Sequence, residues 1–312
     1  MPGKFTVLPV EKLFDWALRE YETHGSIFGI HKELFFTPSE EDVFRMWRYG
    51  RLLETPLGVA AGPHTQLAQN IISAWLVGAR YIELKTVQTL DEIEVTKPCI
   101  NMADEGYNCE WSQELRLNES FDQYLNAFIL IHYLREKLGF REDKNREPGF
   151  IFNMSVGYDM KGVLNKNMQA FLDKMENCAA EKEEKLAKLA KIDPAVKELI
   201  IPDRISDNVT LSTMHGCPAE EIEDIARYLL EERGYHTTIK LNPTLLGKKK
   251  LREILNKKLG YDIHVPDEAF AHDLKYEAAV KIIENLSGIS PKQPSSSHTA
   301  ESTKVFRGVK GG

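Results

Sequence analysis

Five short runs, residues 57–61, 81–86, 150–156, 208–214 and 237–241, are apolar on both faces and rich in Val, Ile, Leu and Phe. A strand with that pattern must be covered on both sides, which is the habit of parallel strands flanked by helices. The stretches between them, 66–77, 121–137, 168–191 and 219–232, have apolar residues at helical spacing. Strand and helix in alternation predict right-handed βαβ units and an α/β fold. A weaker pair follows, a strand over 261–265 and a helix over 273–286.

Ahead of the first run, Leu13, Phe14, Ala17, Leu18 and Tyr21 predict an amphipathic helix over 10–22. A turn at Thr37-Pro38-Ser39 leads to Ser39-Glu40-Glu41-Asp42, which reads as the capped start of a second helix. Residues 1–54 are therefore expected to form a helical extension on a body that spans 55–288. The stretch 180–198 (AEKEEKLAKLAKIDPAVKE) has Glu and Lys four apart and reads as a solvated helix face. Beyond Ser287 the chain turns polar and rich in Ser, Lys and Gly, so 289–312 is expected to be a disordered tail.

A formal net charge of −7 and short basic runs, Lys248-Lys249-Lys250 and Lys257-Lys258, argue against a nucleic-acid-binding surface. Cys99, Cys109, Cys178 and Cys217 form no CxxC pair, so neither an iron–sulfur nor a zinc spacing is present. Scattered cysteines fit a reducing cytoplasm. No apolar stretch reaches the roughly 20 residues of a membrane span, and the start lacks the long apolar core of a signal peptide.

In parallel α/β folds chemistry sits where strands end. Here the first run leads into Gly62-Pro63-His64-Thr65, and the second ends in Lys85-Thr86. Asn153 lies in the third. The fourth runs into Ser212-Thr213-Met214-His215-Gly216-Cys217, and the fifth passes Lys240 and Asn242. Two lysines, two asparagines, a histidine and a cysteine are thus expected on one face. Cys217 precedes Pro218 and a helix, where the helix dipole lowers a thiol pKa. The bland alternatives are a solvated rim for either lysine, a structural thiol for Cys217 and a solvated loop residue for His215.

These residues lie in stretches that resemble a known group. The block TPLGVAAGPHTQLAQNIISAWLVGARYIELKTVQTLDEIEVTKPC is similar to the start of the FMN barrel of dihydroorotate and dihydropyrimidine dehydrogenases. Closer still are the selenate reductase flavoprotein subunits, through GPHTQLAQN, ELKTVQ, FIFNMSVGY, TLSTMHGCP and KLNPTLLG, from Phe5 to about Leu286. The resemblance implies a TIM-type (β/α) barrel, incomplete here at five or six β/α units, that transfers two electrons between FMN and a small planar or oxyanion substrate. It implies that Ala60, Ala61 and Gly62 line the flavin, with Lys85, Thr86, Asn153 and Lys240 around it. Asn108, in YNCEWSQEL, matches a pyrimidine-binding asparagine, and Cys217 matches the catalytic acid/base cysteine. Lys85 would stabilise negative charge on the reduced ring.

Thr210 departs from the family pattern, which has asparagine there. It joins His215 and Asn242 on the expected substrate side. The FMN-phosphate loops, the FAD/NADPH domain, the iron–sulfur cysteines and the electron-transfer partners of the longer family members are expected outside this stretch. Two other readings remain from the sequence: a truncated, non-catalytic or partner-dependent chain, and a free-standing dehydrogenase.

Overall fold

The computed structural model describes residues 5–91, 100–101, 107–108, 113–140, 148–212, 217–241 and 243–289. They fall into two compact units, 1–155 with 164–207 and 156–163 with 208–312. The expected tail beyond 289 lies outside the described residues.

The first unit opens with helix α1 (Val10–His24), which buries Val10, Leu13, Phe14, Ala17 and Leu18. Phe14 meets Tyr133 edge-on at 4.6 Å. The helix stops at Gly25, whose φ of 65° is left-handed and whose N–H closes on the Tyr21 carbonyl. Two hairpins follow, β1 (Ser26–Ile27) with β2 (Ile30–His31) and β3 (Met46–Arg48) with β4 (Arg51–Leu53).

The second helix expected from Ser39 is therefore absent among the described residues. Ser39 Oγ accepts from Glu41 N–H at 3.2 Å and Asp42 Oδ1 from Phe44 N–H at 2.9 Å. Such local side-chain bonds give the backbone an alternative to the helix. Tyr49 and Gly50, with φ of 54° and 69°, then form the turn that joins β3 to β4.

Three parallel strands come next: β5 (Gly58–Val59), β6 (Tyr81–Glu83) and, after the β7 (Ile100–Asn101)–β8 (Tyr107–Asn108) hairpin, β9 (Ile151–Gly157). β6 pairs with β5 through Gly58↔Tyr81 and with β9 through Tyr81↔Ile151 and Glu83↔Asn153. Every residue of β9 is buried, as two-sided cover requires. Helix α2 (Ala68–Leu76) and the long α3 (Leu117–Lys137) supply part of that cover. Phe128 of α3 packs on Phe150 and Phe152 at 6.0 and 5.8 Å.

The expected helix over 168–191 is two helices, α4 (Lys166–Glu176) and α5 (Ala179–Leu189). The break is held by Cys178 N–H on the Asp203 carbonyl and by Asn177 Oδ1, which accepts from Ala179 N–H. Nor is α5 wholly a solvated face. Lys182 and Lys185 are buried, and their ammonium groups reach Asp203 at 2.6 Å and Asp122 at 2.5 Å. Their aliphatic stems lie along apolar surface with the charges paired at its edge.

In the second unit, β10 (Asn208–Ser212) pairs in parallel with β11 (His236–Ile239), from Asn208↔His236 to Leu211↔Ile239. Helix α6 (Ala219–Arg227) buries Ile222, Ile225 and Ala226. α7 (Lys248–Arg252) and α8 (Asp267–His272) follow. The last, α9 (Tyr276–Leu286), turns Ala279, Ile282 and Leu286 inward. No strand forms over 261–265. There Asn256 Nδ2 donates to the carbonyls of Tyr261 and Ile263, bonds that a strand would have used for its ladder.

One buried ion cluster ties the start of the three first-unit strands together. Glu54 receives the Arg80 guanidinium on Oε2 and Arg135 on Oε1 at 2.9 Å, and its N–H donates to the Gly149 carbonyl at 3.0 Å. Arg80 is wholly buried and also donates to the Trp75 carbonyl at 2.6 Å. Removing only the anion leaves two guanidinium groups buried without it. Glu54→Ala is expected to lower stability by about 3–5 kcal/mol, read from the shift in a urea-unfolding curve. A loss below about 1 kcal/mol, the worth of an exposed pair, would contradict it.

Candidate functional site

In the first unit, candidate residues gather past the carboxyl ends of β5 and β6 and within β9. After β5 the chain passes Ala60, exposed, and Ala61, half-buried, to the buried Gly62. Gly62 and Thr65 close a tight turn: Gly62 N–H donates to Thr65 Oγ1 at 3.2 Å, and that hydroxyl donates back to the Gly62 carbonyl at 3.1 Å. Ala61 N–H donates to the carboxylate of Glu83 at 3.2 Å. Small side chains thus leave a stretch of accessible backbone, fixed from below by an acid on the next strand.

Lys85 lies two residues beyond Glu83 and is only 3% exposed. Its N–H points to the Thr65 carbonyl at 3.5 Å, and its carbonyl accepts from the Tyr124 hydroxyl at 3.1 Å. Tyr124 is itself wholly buried on α3, and burial raises its phenol well above the ordinary value. The same strand end continues in the β9 direction. Leu84 N–H donates to the Asn153 carbonyl at 2.9 Å, Val87 N–H to the Ser155 carbonyl at 3.0 Å, and the Thr86 and Ser155 hydroxyls meet at 2.7 Å. Asn153 is fully buried. Lys85, Thr86, Asn153 and the segment Ala60-Ala61-Gly62 are therefore brought together at one end of three adjacent strands.

The sequence reading gave no role to Glu83, Ser155 or His64, which stand among them. Strand parity was the available signal for Glu83, since residues two apart on a strand share a face. The His64 ring, partly shielded, is held below its ordinary pKa first by loss of solvent and then by the Lys85 charge, against a hydrogen bond with the Ala60 backbone. It is neutral at pH 7 and can both donate and accept.

In the second unit, Thr210 is buried on β10 opposite Thr238 of β11. Lys240 is exposed just past β11, and its N–H donates to the Leu211 carbonyl at 2.9 Å. His215 and Asn242 lie outside the described residues. Asn108 is described in its backbone alone, on β8 opposite Ile100.

Cys217 is half-buried immediately before Pro218 and α6. Its Sγ donates to Glu221 Oε2 at 3.8 Å. The expected depression of its pKa is overturned. Burial first, then Glu221 and Asp159, push the thiol up to about 11. The helix dipole alone would act the other way; burial is the largest cause of the rise, with Glu221 and Asp159 adding to it. At pH 7 this group is a protonated thiol, a proton donor and a poor nucleophile.

No group of three or more His, Cys, Asp or Glu that could hold a metal ion occurs among the described residues. No helix among them is long and apolar enough to cross a membrane.

Comparison with known proteins covers most of the chain. Residues 28–299 match the family described as "Oxidoreductase YgfK, N-terminal TIM-barrel domain". YgfK of Escherichia coli strain K12 is 42% identical over 306 residues, which is 92% of this chain and 29% of that protein, and YgfK of Escherichia coli O157:H7 gives the same figures. The chain thus spans under a third of the length of these relatives. A solved structure, ligand-free DHODH from Eimeria tenella, is 12% identical with a TM-score of 0.36, over 90% of this chain and 81% of that one.

The charge next to His64 is open to direct measurement. The His64 ring should titrate by NMR with a midpoint below 6.5, and Lys85→Met should move that midpoint upward, because a neighbouring cation opposes protonation. An unchanged midpoint would separate the two groups.

Proposed function

Since the chain belongs to the family of oxidoreductase YgfK N-terminal TIM-barrel domains, we propose that it binds the ring of an FMN and forms part of a flavin-dependent oxidoreductase. The observation that carries this reading is the buried Lys85, fixed beside Asn153, Thr86 and the small-residue segment Ala60-Ala61-Gly62. The likeness of these stretches to FMN barrels points the same way.

The donor set fits the ring end of a flavin. Ala60 and Ala61 let a planar ring approach the backbone, and Glu83 fixes that backbone through Ala61 N–H. Lys85 offers a cation that is already desolvated, and Asn153 an amide that can donate and accept. Lys240 and Thr86 complete the proposed cofactor set. A bound flavin would supply two-electron chemistry and a place for negative charge on reduction. Lys85 would lower the cost of that charge, because a fixed cation in a dry site needs no reorganisation at the moment of transfer. Groups for the flavin phosphate would come from outside the residues named here.

Cys217 would hold the proton to be given to substrate. Its raised pKa keeps that proton on sulfur until an acceptor of greater basicity is presented. Thr210, Asn108, His215 and Asn242 would recognise the substrate. Threonine on β10 in place of the family's amide disfavours a pyrimidine, and the proposed acceptor is a small planar or oxyanion substrate. Electrons would come from other parts of the longer protein, and a reducing cytoplasm suits them.

The test is made in the full-length protein that contains this domain. Its absorption spectrum should show a flavin band, and Lys85→Met should slow flavin reduction by about 10²–10³-fold, the usual cost of removing one fixed electrostatic donor. A colourless full-length protein, or unchanged reduction kinetics in the variant, would refute the assignment.

A further inference from the structure

Acids at a helix start are common, because they favour the positive end of the helix dipole. Glu220 and Glu221 both occupy the first turn of α6. Glu221 differs in where its carboxylate goes. Oε1 accepts from Met160 N–H at 3.0 Å, and Oε2 accepts from Cys217 Sγ at 3.8 Å. Both oxygens are therefore committed away from the N–H groups of its own helix.

The partner segment is held in place for this contact. Tyr158, just past β9, has a φ of 98°, a strained conformation for a residue with a Cβ. The chain then closes a turn in which Asp159 Oδ1 accepts from Gly162 N–H at 2.7 Å and the Asp159 carbonyl from Val163 N–H at 3.0 Å. That turn leaves Met160 N–H aimed at Glu221. Strain of this kind persists only where the surroundings over-determine it, and here it orients a hydrogen-bond donor.

We propose that Glu221 is a positioning residue for Cys217: fixed by Met160 N–H, its carboxylate accepts from the thiol and keeps the proton on sulfur, so that Cys217 serves as a proton donor and not as a thiolate nucleophile. Among the described residues, the charged groups acting on the sulfur are Glu221 from α6 and Asp159 from the turn after β9. Proton transfer breaks S–H and leaves the electron pair on sulfur beside a carboxylate. That like-charge state is costly, so water restores the proton and readies the thiol for another turn. The role rests on the assignment of Cys217 given above, but the thiol can be examined without flavin or substrate.

The experiment is alkylation of the purified chain by iodoacetamide across pH, followed by mass spectrometry of the peptides containing Cys217 and Cys178. In Glu221→Gln the amide oxygen can still accept from Met160 N–H, while the negative charge is gone. Cys217 should then react about tenfold faster near pH 8, the effect of a thiol pKa lowered by one unit. Cys178 is fully buried with a thiol also raised to about 11, so it should stay slow if the fold is intact. Glu221→Asp, which keeps the charge, should stay closer to the wild-type profile than Glu221→Gln. An unchanged Cys217 profile in Glu221→Gln overturns the proposal, as does equal acceleration at Cys178 or an equal effect of Glu221→Asp. Slow flavin reduction or missing flavin would bear only on the function proposed above.

Discussion

The first unit depends on a charge that is costly to bury and therefore has to be paired. Arg80 sits at the foot of β6 with no exposure, and Glu54 is its counter-ion. Loss of solvent alone would favour a neutral guanidine, and it is the Glu54 charge that opposes this. The ion pair also fixes backbone. Arg80 and Tyr81 N–H groups both reach the Leu57 carbonyl, Ile151 N–H donates to the Arg80 carbonyl, and Glu54 N–H donates to Gly149. Gly149 has a φ of 73°, and a Cβ there would lie 2.3 Å from the Glu54 carboxylate. Close packing around one acid thus sets where three strands begin.

What begins in register ends in register. Because β5, β6 and β9 are aligned at their feet, Glu83 falls opposite Asn153, and Lys85 follows two residues on. The polar groups at the far end owe their proximity to strand geometry, in which residues two apart share a face. The stabilising ion cluster and the proposed cofactor-binding residues are therefore separated along the strands. Ion pairing at one end secures the alignment, and the buried Lys85 and Asn153 lie toward the other end.

How much of this could be read from the sequence follows from which forces are local. Strand β9 was legible because two-sided burial leaves a long apolar run, and helix α1 because its apolar stripe repeats at 3.6 residues. Lys85 and Cys217 were legible as polar residues at strand ends. The start at Ser39-Glu40-Glu41-Asp42 was misread because the same side chains that cap helices also close turns, and the choice was made by a hairpin several residues later. Lys182 and Lys185 looked solvated because their partners, Asp203 and Asp122, are 21 and 63 residues away in the chain. The sign of the Cys217 shift was missed for the same reason. The helix dipole is visible in sequence, whereas Asp159, 58 positions earlier, and the orientation of Glu221 are not.

That sign bears on the direction of the chemistry. With its pKa pushed up to about 11, Cys217 is almost wholly the protonated thiol at pH 7. A base that must take a proton from substrate would almost always be in the wrong form. An acid that must give one would almost always be ready. If a flavin ring lies beside Lys85 as proposed, that cation would favour its electron-rich state. Under the proposed function, a thiol that keeps its proton would suit the reduction of an acceptor. Oxidation of a donor would call for the opposite arrangement at the sulfur, a cation in place of Glu221.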